Sequence, residues 1–314
     1  MMISYLVLGI LFLIQMGVGI LGNFFLLGLY TFHSLIGQRL RPIECLFVHL
    51  ALANSKVLLS KGIPQMISCL GFKNFLDFVG CKLIIYFYNV ARSVGLSITC
   101  LLSGFQVIIL RPSDSRWAGL KTQAPKCIVP SCFIFWCFHL LTNFTLLGTM
   151  HNSRYLTNNT KIWNLGYCST LTPPSFNAAL FAIVFFIPDV MCVGFMICSS
   201  AYLVILLHRH HQQVKHIHSP HLSATRFPEK KATQTVLLLV STYVSFYSVN
   251  TGLSFYSFKM DKYGPWFVAT LDLIAAWFPA TSPFVLIFSD SQVRKYWYVL
   301  QHRKQGLLHH SVLN

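Results

Sequence analysis

The chain has 314 residues, of which 54% are hydrophobic and only 10% charged, with a formal net charge of +16. So little charge excludes an ordinary soluble domain, whose residues are roughly a quarter charged. The basic excess does not mark a nucleic-acid binder either, because Lys and Arg sit in short gaps between apolar blocks and build no basic domain of their own.

A bilayer core of ~30 Å takes about 20 apolar residues at a rise of 1.5 Å. Taken along the chain, such runs lie at 3–31, 43–70, 80–110, 127–149, 176–207, 233–258 and 266–288. The first has no basic leader and is longer than the apolar core of a signal peptide, so it reads as a retained helix. The predicted fold is an all-α membrane protein, a bundle of seven transmembrane helices. It occupies 1–314 as one domain, with 289–314 as a short basic tail. No internal repeat or second domain interrupts it. Pro64, Pro188, Pro279 and Pro283 fall within spans, where they are tolerated and mark kinks.

Loop charge sets the expected orientation. One set of connections holds fifteen Lys and Arg, among them Arg39, Arg41, Arg116, Lys121, Lys126, Arg209, Lys230 and Lys231; the opposite set holds six. The richer side is cytoplasmic, which puts the N-terminus outside and the C-terminus inside. Asn158-Asn159-Thr160 is a glycosylation sequon in a loop that this rule places outside. A second sequon at Asn143 lies inside the fourth span and is expected to be unused. Cys81 opens the third span on the outer face and Cys168 lies in the same outer loop, so an oxidising exterior would allow a disulfide between them. The other eight cysteines lie in or beside apolar stretches, with no CxxC pair and no metal-like spacing.

Five charges fall inside spans away from their ends: Lys56, Lys61, Arg92, Asp189 and Asp272. Each costs at least ~2.5–3.5 kcal/mol near the bilayer centre, so each is expected to face the bundle interior and find a partner. Depth sorts them. Lys61 and Asp272 lie about 9 and 6 residues from the outer ends of their spans, within ~5 Å of one level. Arg92 and Asp189 are about 12 and 13 residues into theirs. No GxSxG, HExxH or GxxxxGK[ST] motif is present, and the only intramembrane acids stand outside any recognised motif, so no enzyme is expected. The histidines between 208 and 221 lack a ligand spacing, so no metal or cofactor is expected either.

Several stretches carry a resemblance. They are HLALAN (49–54), LLSKGIPQ (58–65), CLLSGFQ (100–106), APKCIVPSCF (124–133), HRHHQQVKHIHSP (208–220), KATQTVLLLVSTYVSFY (231–247) and FPATSPFVLI (278–287). Together they resemble the vomeronasal type-1 receptors, pheromone-type receptors of the G-protein-coupled superfamily. The chain departs from common rhodopsin-like receptors at Asn54, at Gly104-Phe105-Gln106 in place of Asp-Arg-Tyr, and at Ser282-Pro283-Phe284 in place of Asn-Pro-x-x-Tyr. The resemblance implies that helices two and seven are neighbours, as are three and five, and hence the pairs Lys61–Asp272 and Arg92–Asp189. Two uses stay open for those pairs: fixing the packing, or lining a ligand cavity and changing partners when ligand binds.

The expected cavity lies in the outer half of the bundle, with Tyr86, Asn89, Arg92, Asp189, Phe255, Tyr256 and Asp272 as candidate lining. An apolar pocket with few polar groups suits a small odorant or pheromone. The resemblance further implies a heterotrimeric G protein of the Gi/Go class as partner, with Phe105, Gln106, Arg209, Lys230 and Lys231 as candidate contacts, in a receptor of the cell membrane. The basic segment between spans five and six also suits anionic lipid head groups. A bitter-taste-type receptor is the nearest alternative, and a small transporter or channel a more distant one.

Overall fold

The computed structural model describes residues 2–37, 39–72, 75–111, 115–149, 162–164, 167–171, 183, 186–216, 223–259 and 265–289. Seven helical rods run through it, each long and apolar enough to cross a bilayer. Helix α1 is Met2–Leu35, α2 is Pro42–Cys69, α3 is Phe78–Leu110 and α4 is Ser115–Thr149. Helix α5 is Ile187–His216 and α6 is Ser223–Lys259. Helix α7 comes in two pieces, Pro265–Ala275 and Trp277–Ser289, joined at Ala276. Large apolar side chains such as Leu21, Leu141 and Phe144 face outward, the reverse of a soluble protein.

Several rods outrun their apolar stretches. α4 begins at Ser115 rather than near 127, and α6 at Ser223 rather than near 233. Hydropathy detects the part of a helix that lies in hydrocarbon. The backbone hydrogen bonding simply continues through the polar residues beyond it.

α3 is the axis of the bundle: 61% of its apolar window is buried, against 17% for α5. Its interior face carries Val94, Ile98 and Leu102, all fully covered. α2 widens into a π-type turn over Leu58–Gly62, just before Pro64. Proline has no N–H to donate to the carbonyl four residues back and its ring crowds that carbonyl, so a wider turn relieves both problems.

α1 and α7 meet closely. A β-carbon on Gly19 would lie 2.8 Å from the Ala280 Cα, and one on Gly22 would lie 2.9 Å from the Pro283 ring. Pro283 leaves the Pro279 carbonyl without its usual helical donor. Asn23 Nδ2 supplies that donor at 2.9 Å, and Gln15 Nε2 donates to the Leu273 carbonyl at 2.9 Å beside the break. Asn54 Nδ2 on α2 donates to Ser282 Oγ at 2.8 Å.

Between α4 and α5, β1 (Ile162–Asn164) and β2 (Ser169–Leu171) form an antiparallel ribbon with Ile162 opposite Leu171. Cys168, just before β2, is bonded to Cys81 at the start of α3.

Candidate functional site: a mid-bundle cavity beside a buried ion pair

Near the disulfide, α2 and α7 are tied by charge. Lys61 Nζ lies 2.6 Å from Asp272 Oδ1, and both side chains are largely buried. The Lys61 ammonium also sits 4.4 Å from the centre of the Tyr88 ring on α3. Asp272 Oδ2 is buried without a hydrogen-bond partner. Tyr167, next to the bonded Cys168, is 2% exposed and packs with the disulfide against Leu76, Ile84 and Ile85. Burial pushes its hydroxyl well above the usual phenol range, with nearby Lys61 pulling the other way, so the group stays neutral.

The second pair joins α3 to α5. Arg92 Nη2 lies 3.0 Å from Asp189 Oδ2, and the Tyr247 hydroxyl on α6 donates to the same oxygen at 2.9 Å. The guanidinium lies 5.2 Å from the centre of the Tyr247 ring, which stacks on Tyr243 at 6.0 Å. Tyr243 in turn meets Phe278 of α7 edge-on at 4.6 Å. A charge on α3 is therefore read by α5, α6 and, through two rings, α7.

Beside Arg92 lies a mid-bundle cavity of about 50 Å³. It is bordered by α2, α3, α6 and α7, with Asn54, Tyr88, Arg92, Tyr243, Tyr247 and Asn250 as its polar lining. It exceeds the ~10–15 Å³ that one water needs and falls well short of the ~300–1,000 Å³ of a drug-sized pocket.

Of the lining residues expected from sequence, Arg92 borders this cavity with Asp189 as its counter-ion, while Asp272 is paired with Lys61 and neither of those two lines it. Tyr86 and Asn89 turn elsewhere. The Tyr86 hydroxyl donates to the Leu140 carbonyl of α4 at 3.0 Å, and Asn89 Nδ2 donates to Ile85 of its own helix. Tyr256 is 56% exposed and leans on Phe267. The side chain of Phe255 lies outside the described residues. Sequence reading missed Tyr88, Tyr243 and Tyr247, although a helical spacing signal existed: Tyr88 stands four residues before Arg92, and Tyr243 four before Tyr247.

Lys56 also departs from expectation. It does not turn to an acid in the interior; it is exposed, with its ammonium 4.5 Å from the centre of the Trp136 ring on α4. Asn143, which begins the second sequon, is fully buried and donates to the His139 carbonyl. Asn158 lies outside the described residues.

At the end opposite the disulfide, Phe105 and Gln106 are buried, and a β-carbon on Gly104 would lie 3.1 Å from the Phe195 ring of α5. Arg111 at the end of α3 lies 6.0 Å from the centre of the Tyr202 ring on α5. Arg209 is exposed. The side chains of Lys230 and Lys231 lie outside the described residues.

Seven helices, a disulfide holding the long loop to the third, and polar groups gathered mid-bundle define a seven-helix membrane protein. The fold agrees with the crystal structure of squid rhodopsin, with a TM-score of 0.68 at 16% identity, covering 94% of this chain and 80% of that one. The model of the vomeronasal organ pheromone receptor family matches residues 6–299, and the chain belongs to that family. It is 42% identical over 296 residues to vomeronasal type-1 receptor 1 of Homo sapiens and, over the same length, to its counterpart in Gorilla gorilla gorilla. Each alignment covers 94% of this chain and 84% of the relative. The chain is therefore a multi-pass membrane receptor.

Proposed function

We propose that this receptor detects a small organic molecule of the pheromone or odorant kind on the extracellular side and activates a heterotrimeric G protein of the Gi/Go class. The observation that carries this reading is the cavity beside Arg92, where an α3 guanidinium, an α5 carboxylate and an α6 hydroxyl share one contact. Loop charge orients the disulfide end outward, so ligand enters past Tyr167 and the β1–β2 ribbon.

A molecule larger than the cavity must widen it, and the movable wall is the α6 side, Tyr243 and Tyr247. Ligand polar groups compete for Arg92 or for the Tyr247 hydroxyl, releasing α6 from Asp189. The shift is limited to the difference in ligand affinity between the closed and open forms. At the inner end, separation of α3 from α5 and α6 would uncover Phe105 and Gln106 beside the basic ends of α5 and α6, a crevice suited to a G-protein segment. Neither residue can make that contact while buried as it is here.

The test is a Gi/Go reporter in cells displaying the receptor, challenged with volatile and steroid-like small molecules. A saturable response that Tyr247→Phe shifts in potency supports the reading. Response to an agonist with identical potency in Arg92→Met and Tyr247→Phe would place the ligand elsewhere.

A further inference from the structure

Of the five charges placed away from span ends, Lys56 is the one that meets no opposite charge among the described residues. It lies 14 residues after Pro42 and 13 before Cys69 in the 28-residue span of α2. At 1.5 Å per residue it is about 20 Å from either end of the helix. The hydrocarbon boundary is ~15 Å from the bilayer centre, too far for snorkelling from mid-depth. Its neighbours at helical spacing, Leu52, Leu59 and Ile63, are exposed too, so Lys56 stands in the middle of the outward stripe of α2.

The surroundings hold the ammonium in place. Trp136 lies under it at 4.5 Å, and the Trp136 indole N–H donates to His49 Nδ1 at 3.3 Å. Phe133 packs edge-on against His49 at 6.1 Å. The result is a built wall between α2 and α4 with one cation on it. Among the described residues, no carboxylate or carbonyl accepts from the Lys56 ammonium. A mid-bilayer ammonium facing outward is among the costliest placements a membrane protein can carry, and such groups are normally paired.

We propose that this face of α2 and α4 is the docking surface for the transmembrane helix of a partner protein that carries a carboxylate at mid-bilayer depth. Charge complementarity selects an acid, and hydrocarbon selects a helix, because a spanning segment must satisfy its own backbone there. A second copy of this chain does not fit. The acids within its spans are Glu44, held by Arg41 at the end of α2 at 2.8 Å, and Asp189 and Asp272, already paired in the interior at 3.0 and 2.6 Å.

The test uses the full-length receptor in phosphatidylcholine vesicles and a synthetic helix of about 20 Leu and Ala residues with one Glu at its centre. Association is read by energy transfer. The wild-type chain is expected to bind the Glu helix about ten-fold more tightly than the same helix with Leu there. Lys56→Leu should abolish the preference, Lys56→Arg should keep it, and Lys56→Glu should transfer it to a helix with a central Lys. Disulfide formation and surface display check that each variant folds; should Lys56→Leu fail to fold, the Lys56→Glu exchange decides. Equal binding of the Glu and Leu helices, or a preference that survives Lys56→Leu, overturns the proposal. Receptor–receptor transfer that depends on Lys56 would make the occupant a second copy and overturn it as well.

Discussion

Lys61, Arg92, Asp189 and Asp272 each meet an opposite charge within hydrogen-bonding distance, so the consequence of removing one partner follows from what stays behind. Asp272→Asn leaves the Lys61 ammonium buried without a counter-charge, an arrangement that costs about 3–5 kcal/mol. The expected outcome is a marked loss of thermal stability in detergent, largely recovered when Lys61→Asp is combined with Asp272→Lys. A double reversal no more stable than either single change would dissolve the pairing. Tyr247→Phe removes one charge-assisted hydrogen bond to Asp189, worth about 1.5–3 kcal/mol, and leaves the Arg92 contact in place. Thermal stability should therefore fall less than in Asp189→Asn. The charges themselves were conspicuous in the sequence, but matching them into pairs needed the helix neighbours that the resemblance implied, and the structure places Asp189 in the first turn of the described α5 rather than deep within it. The cavity lining was less legible. Tyr86 and Tyr88 are two residues apart on α3, yet one reaches the Leu140 carbonyl of α4 and the other faces the cavity. Fifteen per cent of the chain is aromatic, so composition could not choose between them. Lys56 was misread because depth along α2 does not tell which face a residue takes; its ammonium lies on the outward face, over the Trp136 ring.

Helix α7 is interrupted by prolines and by the break at Ala276, and α1 compensates for what those interruptions leave open. Asn23→Leu would strip the Pro279 carbonyl of its donor in a fully buried position, at a cost of about 1–3 kcal/mol. Gly19→Leu acts differently: backbone atoms of Ala280 stand where its β-carbon must go, so α1 has to move away from α7. Of the two, Gly19→Leu is expected to reduce surface display more, measured by antibody staining of intact cells against total protein. Helix number and order were readable from apolar runs. Helix ends were not, as α4 shows: Arg116, Lys121 and Lys126 lie within one continuous helix with the apolar residues that follow. The wide turn of α2 was hidden for another reason. Pro64 advertises a disturbance, but whether the helix kinks or takes an extra residue into one turn depends on neighbours such as Met16, which lies against Gly62.

Across the whole molecule, the disulfide closes 87 residues of chain and sets the loop carrying Tyr167 against α3 beside the Lys61–Asp272 pair. Loss of a cross-link of this kind costs about 2–5 kcal/mol. Cys81→Ala and Cys168→Ala should reduce surface display alike, and the double variant should be no worse than either. The orientation expected from loop charge predicts a glycan on Asn158, so endoglycosidase treatment should shift the wild-type chain and leave Asn158→Gln unmoved; no shift in the wild-type chain would contradict that prediction. Most of the stretches that carried the resemblance run within the helices themselves, at 49–54 and 58–65 of α2, 100–106 of α3, 124–133 of α4, 231–247 of α6 and 278–287 of α7. The most direct measurement is nucleotide exchange on Gi/Go heterotrimers by membranes displaying the wild-type chain, across volatile and steroid-like compounds. Exchange should rise saturably with at least one compound, and Arg92→Met at matched display should lose that response. Exchange no faster than in receptor-free membranes for every compound and every heterotrimer class, or a response unchanged in Arg92→Met, would contradict a G-protein-coupled receptor gated through this cavity.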